Sequence, residues 1–276
     1  MSLLSRLRTL RHGPLSFLSP LWVPLGRLYR WAVAKSGRGF VSSHRIGPYG
    51  PFRMTGAFAF SDFDHWGGGH NRGFAFCVEA SRGKSCVLDV GAHIGLVTLP
   101  VSRAVAAHGR VIAFEPSDAN AATLREHLRL NAIDNVEIVD ALVGDKVLEA
   151  VEFFEHSGVS GMNSRAPVKS DGSYTETRHP QTTLDAFCAA NRLKPEVVKI
   201  DVEGAEFAVL EGAREILSSA HPIVVVSIHP THLRVLGREP EELHDLAAAL
   251  GYTVTDIDGR PVDVFRLDEY VLTPND

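Results

Sequence analysis

Val87-Leu88-Asp89-Val90-Gly91-Ala92-His93-Ile94-Gly95 and, further on, Val111-Ile112-Ala113-Phe114-Glu115-Pro116 decide how this chain folds. The first apolar run ends in an acid and a glycine turn, and a helical pattern follows it. The second ends in Glu115. The pattern reads as strand, tight turn, helix and second parallel strand. Glycines at 91 and 95 leave main-chain N–H groups at a helix N-terminus open to a ligand. Glu115 stands twenty residues after Gly95, where a carboxylate accepts both hydroxyls of a ribose. A nucleoside-containing cofactor is therefore expected.

The form of the loop narrows the choice of cofactor. A dinucleotide site calls for G-x-G-x-x-G, so that the turn touches a pyrophosphate. Here the spacing is G-x-x-x-G, and Asp89 stands two residues before Gly91. An acid there repels a pyrophosphate and favours a sulfonium or amino group. D-x-G-x-x-x-G with an acid ending the next strand resembles the S-adenosylmethionine site of class I methyltransferases.

Bulk properties set the frame. With 276 residues, of which 45% are hydrophobic, the chain has ample core for one large domain plus an N-terminal extension. Three widely spaced cysteines, Cys77, Cys86 and Cys188, make neither a disulfide framework nor a zinc pattern. They read as reduced residues of a cytoplasmic protein. No apolar run reaches the length of a membrane span.

The net charge of −5 hides an asymmetry. Nine of the 28 bases precede the first acid, Asp62, which leaves 19 bases against all 33 acids in the rest. Leu3, Leu4, Leu7, Leu10, Trp22, Tyr29 and Trp31 accompany the early bases. Residues 1–38 thus read as an amphipathic arm for peripheral contact with a membrane or for an amphiphilic substrate. The alternative is a helical arm packed on the domain or on the mate in a homodimer. Pro14, Pro20 and Pro24 interrupt the apolar region, against a cleavable signal peptide.

Along the chain, residues 1–80 read as a basic extension and acceptor-side cap, and residues 81–276 as the cofactor-binding domain. Strands are expected at 86–90, 110–114, 136–140, 197–200 and 222–228, and near 252–257 and 262–272. Helices are expected at about 95–106, 118–131, 206–218 and 239–250. A hairpin from Glu149–Phe154 and Tyr174–Thr182 interrupts this alternation, and a short helix starts at Thr183. The fold class is α/β, a Rossmann-like, mostly parallel sheet of seven strands with helices on both faces.

In such a sheet, ligands bind beyond the carboxyl ends of the strands. That rule selects Asp89, Gly91, Ala92, His93 and Gly95 after the first strand, Glu115 and Pro116 after the second, and Asp140 and Ala141 after the third. Asp201 and Glu203 follow the fourth, and His229 ends the fifth. Asp140 is placed to accept from an adenine amino group. Asp201 and Glu203 stand next to the expected methyl group, although acids in a first helical turn also oppose the macrodipole. His229 is placed to take a hydroxyl proton. His93 is expected to shape the loop.

Val87–Gly95, Phe114-Glu115-Pro116, Thr183-Leu184-Asp185, Lys199-Ile200-Asp201-Val202-Glu203-Gly204-Ala205-Glu206 and Leu210-Glu211-Gly212-Ala213 together resemble the FkbM family of methyltransferases. The resemblance covers roughly residues 80–230. It implies methyl transfer from S-adenosylmethionine to a hydroxyl of a sugar, a polyketide or another secondary metabolite. Members commonly have Asn where this chain has His93, and an acid where it has Ser227; the arm lies outside the resemblance.

The reading is an O-methyltransferase acting on a small-molecule, sugar or lipid-like acceptor. Asp89, Gly91, Gly95, Glu115 and Asp140 hold the cofactor, with Ala92, His93, Pro116, Ala141 and Asp201 around it. Asp201, Glu203 and His229 face the acceptor. His229 is the first choice of base and Asp201 the second. The same three residues are also compatible with a divalent metal that lowers the hydroxyl pKa. The rivals are a nucleic-acid or protein methyltransferase, a non-catalytic membrane- or partner-binding protein on this fold, and an NAD enzyme. An [N/D]-P-P-[Y/F] block is missing after the fourth strand, and the domain is acidic, so nucleic acid is disfavoured. The loop spacing disfavours NAD.

Overall fold

The structure is a computed structural model. It describes residues 40–275 except 157, 167 and 169–173, together with Phe17, Gly26 and Tyr29. The expected arm at residues 1–38 therefore lies outside the described residues, apart from those three.

The chain opens with an antiparallel hairpin of β1 (Val41–Ile46) and β2 (Tyr49–Thr55), followed by α1 (Gly73–Ala80). Then come β3 (Cys86–Val90), α2 (Thr98–Ala104), β4 (Arg110–Phe114), α3 (Asp118–Leu130) and β5 (Val136–Val139). A second sheet of three short strands is inserted here: β6 (Leu142–Val143), β7 (Leu148–Glu155) and β8 (Thr175–Thr182), in the order β6-β8-β7. The main run resumes with α4 (Leu184–Asn191), β9 (Val197–Ile200), α5 (Glu206–Glu211), α6 (Arg214–Ala220) and β10 (Ile223–Ile228). It closes with α7 (Pro230–Val235), α8 (Glu242–Ala249), β11 (Tyr252–Asp256) and β12 (Asp268–Pro274).

The central sheet has seven strands in the order β11-β12-β10-β9-β3-β4-β5. The five strands from β10 to β5 run parallel, and β12 is antiparallel to both β10 and β11. Numbered within the sheet, this is 3-2-1-4-5-7-6, a doubly wound order with the last strand slotted in antiparallel.

The parallel strands are apolar on both faces because helices cover both. Leu88, Val90, Ile112, Phe114, Val198, Ile200, Val224 and Val226 enter one core, with Phe207, Leu210, Leu217 and Leu243 from α5, α6 and α8. Their neighbours Val87, Val111, Ala113, Val197 and Val225 enter the other, against Phe74, Val78, Leu99 and Leu124. The period of two along each strand divides the cores. Ile46, Phe52 and Met54 of the hairpin, on the N-terminal side of the expected 80/81 boundary, pack in the second core with residues beyond it.

One expected helix is two. The apolar spacing over 206–218 reads as continuous, but the chain breaks at Gly212-Ala213. A Cβ at Gly212 would lie 2.1 Å from the Gly144 carbonyl oxygen, so α5 packs flush against the inserted sheet at that point. Asp185, remote in sequence, then caps the second piece, its carboxylate accepting from Glu215 N and Ile216 N at 2.9 Å each. That satisfies donors a fresh helix start leaves open. The last expected strand also starts later, at Asp268, and the first expected helix starts at Thr98.

Candidate active site

The loop after β3 turns on three residues with positive φ, Gly91 at 89°, His93 at 51° and Gly95 at 93°. Protein packing demands both glycines. A Cβ at 91 would sit 1.8 Å from the Asp201 carbonyl oxygen, and one at 95 would sit 2.6 Å from Leu124 Cδ1. Close approach of a ligand, the expected reason for glycine here, is therefore not what excludes a side chain. The loop's N–H groups are also spent. Those of Gly91 and Ala92 donate to Phe114 O, that of Gly95 to Ala92 O, and that of His93 to Glu115 Oε2 at 2.8 Å. Few main-chain donors are left for a pyrophosphate.

Asp89 lies behind this loop rather than on its open side. It is buried and accepts from Thr98 Oγ1 at 2.6 Å. Burial lifts its carboxyl to about 6 against the opposing pull of Thr98 and Lys199. Its place is to pin the start of α2, and it does not line the cavity.

Two cavities meet at the strand ends. Glu115, Pro116, Asn120, Ala141, Leu142 and Ser160 contribute to the first. Phe63, Trp66, His70, Ser227 and His229 contribute to the second. Gly91, His93, Gly161, Asp201 and Glu203 belong to both. Residues of 61–70 and of 160–165, both close to the strand ends, thus supply cavity walls. Asp140 does not: its side chain is half exposed and ion-paired with Arg125, and the first cavity takes Asn120 and Ala141 instead.

Glu115 is enclosed. Its oxygens accept from Ser117 N at 3.0 Å, Asn120 Nδ2 at 3.2 Å and His93 N. Burial nevertheless dominates and raises its carboxyl to about 7. His93 is neutral for the same reason: burial holds its imidazole down at about 4, despite the nearby Asp201 charge. Its Nε2 is enclosed and has no hydrogen-bond partner.

At the second cavity, the imidazole of His229 is fixed by Glu206. Nδ1 donates to Glu206 Oε1 at 2.6 Å, and Gly204 N donates to the same oxygen at 2.9 Å. Nε2 then faces Asp201 Oδ1 at 3.6 Å and Glu203 Oε1 at 3.5 Å. Burial opposes charge on this ring, but Glu206, Glu203 and Asp201 outweigh it and lift the group to about 9. These carboxylates favour the charged form of the ring, which leaves Asp201, the second choice of base, as the carboxylate able to accept a proton.

Beneath this group runs a buried network that the sequence did not disclose. Lys199 Nζ lies 2.7 Å from Glu269 Oε1, 2.5 Å from Ser227 Oγ and 3.7 Å from Asp201 Oδ2. Ser227 and Glu269 are cross-strand partners in β10 and β12. Glu269 thus places a buried acid beside Ser227 from the neighbouring strand. Desolvation favours a protonated Asp201, yet Lys199 and His229 outweigh it and hold the carboxyl below the usual range. Asn120, Glu206 and Glu269 are the residues that sequence reasoning missed. Glu206 stands inside the quoted K-I-D-V-E-G-A-E block, whereas Asn120 and Glu269 carry no local signal.

The methyltransferase FkbM domain matches residues 89–254, which spans the loop, Glu115, Asp201 and His229. The chain belongs to the FkbM methyltransferase family. It is thus an S-adenosylmethionine-dependent methyltransferase by family. No curated protein matches it. Among solved structures, the FkbM methyltransferase of Methylobacillus flagellatus KT is 20% identical with a TM-score of 0.43. That match covers 70% of this chain but only 44% of the other, so this methyltransferase spans less than half of that protein's length. An O-methyltransferase from Bacillus cereus in complex with SAH is 14% identical over 72% of this chain and 77% of its own, with a TM-score of 0.43. An rRNA methylase from Streptococcus thermophilus is 12% identical over 75% and 96%, with a TM-score of 0.42. None of the helices among the described residues of this methyltransferase is long and apolar enough to cross a membrane.

Proposed function

We propose that this methyltransferase carries a methyl group to a hydroxyl oxygen of a small-molecule, sugar or lipid-like acceptor. The observation that carries the reading is the junction of the two cavities, where Asp201 and Glu203 line both.

S-Adenosylmethionine supplies an electrophilic methyl carbon, which the acceptor oxygen takes as the carbon–sulfur bond breaks and its electron pair stays on sulfur. Glu115 is the group to receive the ribose hydroxyls, because a buried carboxyl raised toward neutrality gains most from new donors. Ala141, Leu142, Phe114 and Val143 give that cavity an apolar wall suited to a flat base. The largely used N–H groups of the loop suit a cofactor without phosphate.

On the acceptor side, Phe63 and Trp66 offer apolar faces and His70, Asn71 and Asp268 offer polar groups. That mixture fits a small polyhydroxylated or amphiphilic molecule. The cavity holds about 340 Å³, near the lower end of small-ligand pockets, about 300–1,000 Å³. Asp201, kept ionised chiefly by Lys199 and His229, orients the acceptor hydroxyl and takes its proton as the oxygen attacks. Positioning supplies most of the rate, since a bound oxygen aligned with the methyl carbon avoids the entropy of encounter.

The test is incubation with S-adenosylmethionine and a panel of sugars, phenols and hydroxylated lipids. Release of S-adenosylhomocysteine and an O-methyl signal in the product spectrum are expected. Methylation confined to nitrogen, or to RNA, would refute the oxygen and small-molecule assignments.

A further inference from the structure

We infer that Asp201, Glu203 and His229 form a divalent-cation site at the acceptor end of the cavity, with Glu206 orienting the histidine. The inference rests on the methyl-transfer reading above and adds to it the ion that would hold the acceptor.

The geometry around His229 calls for something between its ring and the two carboxylates. Glu206 fixes Nδ1 at 2.6 Å, which commits Nε2 to the cavity, and an ion bound there would displace the proton that the surrounding carboxylates otherwise favour on Nε2. The gaps from Nε2 to Asp201 Oδ1 and Glu203 Oε1, 3.6 Å and 3.5 Å, exceed the roughly 2.7–3.2 Å of a hydrogen bond from nitrogen to oxygen. They match atoms that share an ion. Two ligand atoms each about 2.1 Å from one metal are about 3.0 Å apart at a right angle and about 3.4 Å apart at a tetrahedral angle. One ligand atom from each of the three residues lies within 4.8 Å of the others.

The second nitrogen of a metal-bound histidine usually donates to a carboxylate, which fixes the tautomer and raises ligand basicity. Glu206, fully buried, holds that place. One imidazole and two carboxylates suit manganese, iron or zinc.

A separate observation places a further ligand in the same space. His93 lines both cavities, and its enclosed Nε2 has no partner. A water or acceptor hydroxyl bound to the ion would supply the missing donor. An ion there would lower the pKa of the acceptor hydroxyl and fix its oxygen beside the methyl group.

The experiment uses the full chain, stripped with a chelator and titrated with manganese chloride, with free Mn²⁺ followed by electron paramagnetic resonance. S-Adenosylmethionine binding is measured on the same samples by calorimetry. One saturable Mn²⁺ per chain is expected, with E203Q and H229Q each weakening it by at least tenfold. Glu203 is partly exposed, so E203Q carries the test if H229Q fails to fold by circular dichroism. Cofactor binding without saturable Mn²⁺ binding would overturn the inference while leaving the methyl-transfer reading intact. Mn²⁺ affinity within threefold of wild type in folded E203Q would overturn it as well. Failure to bind S-adenosylmethionine at all would overturn the underlying reading and the inference with it.

Discussion

Asn120 and Ser160 hold each other in both directions: the Asn120 amide nitrogen donates to Ser160 O at 2.8 Å, and Ser160 N donates to Asn120 Oδ1 at 3.1 Å. The same amide nitrogen reaches Glu115 at 3.2 Å. One side chain therefore ties the inserted loop to the carboxylate assigned to the ribose. The first cavity is correspondingly tight, about 60 Å³, less than a nucleoside fills. On the proposed reading, entry of the cofactor parts this contact.

Replacing Asn120 by Ala should release the loop. Amides of residues 158–165 are expected to exchange faster in N120A than in wild type without ligand, and cofactor should slow both that loop and segment 61–70 in wild type. Unchanged exchange in the variant would show that other contacts, such as Ser164 Oγ donating to Glu203 O at 2.6 Å, hold the loop closed.

Cofactor binding should be linked to a proton on Glu115. Its carboxyl is raised to about 7, and ribose hydroxyls stabilise the ionised form, so binding lowers that pKa and releases a proton. Affinity should therefore climb as pH rises through 7, by about tenfold between pH 6 and 8. Calorimetry in buffers of different ionisation enthalpy measures the release. Glu115→Gln should flatten the profile, and Glu115→Ala should lower affinity at least tenfold, about 1.5–3 kcal/mol per charge-assisted bond.

Gly91→Ala should damage the fold as well as the site. The new Cβ meets the Asp201 carbonyl oxygen at 1.8 Å, and the backbone φ of 89° is unfavourable for alanine. A loss of at least about 2 kcal/mol is expected, seen as a fall in Tm of roughly 4–8 °C. A Tm equal to wild type would mean that the β3 loop and the Asp201 backbone separate easily.

Removing Glu269 should strand Lys199. Both are buried, and breaking a buried pair costs about 3–5 kcal/mol, so Glu269→Ala is expected to unfold far more readily in urea than wild type. Replacing both Lys199 and Glu269 by Met should recover most of the loss, which a double-mutant cycle reads directly. Additive effects would mean that Asp201 and Ser227 alone satisfy the ammonium.

Deleting residues 1–38 should leave S-adenosylmethionine affinity within about threefold of wild type while lowering turnover or liposome binding. The deletion removes seven of the nine early bases, which favour an anionic surface by about 1 kcal/mol each when close to it and less in salt. Tyr29, among the described residues, donates to Gly56 O at 2.7 Å and packs edge-on against Phe60, so some loss of Tm is expected too. A folded truncation that no longer binds cofactor would place the arm in the donor site.

The sequence by itself determined the alternation of strands and helices, the loop after β3, Glu115 at the end of β4, and the pair Asp201 and Glu203 after β9. Those features are local: runs buried on both faces, glycines at strained turns, and acids at strand ends are written in neighbouring residues. Only the tertiary structure decided what surrounds them. The break at Gly212 depends on Gly144 and Asp185, far away in the chain. Asp89 faces Thr98 and Asp140 faces Arg125, so two strand-end acids that look alike in sequence leave the cavity. Asn120, Glu206 and Glu269 enter the site through α3, α5 and β12. Charge state followed the same rule, because the field that favours an ionised Asp201 and a charged His229 comes largely from Lys199 and Glu206, and burial lets such charges act strongly on one another.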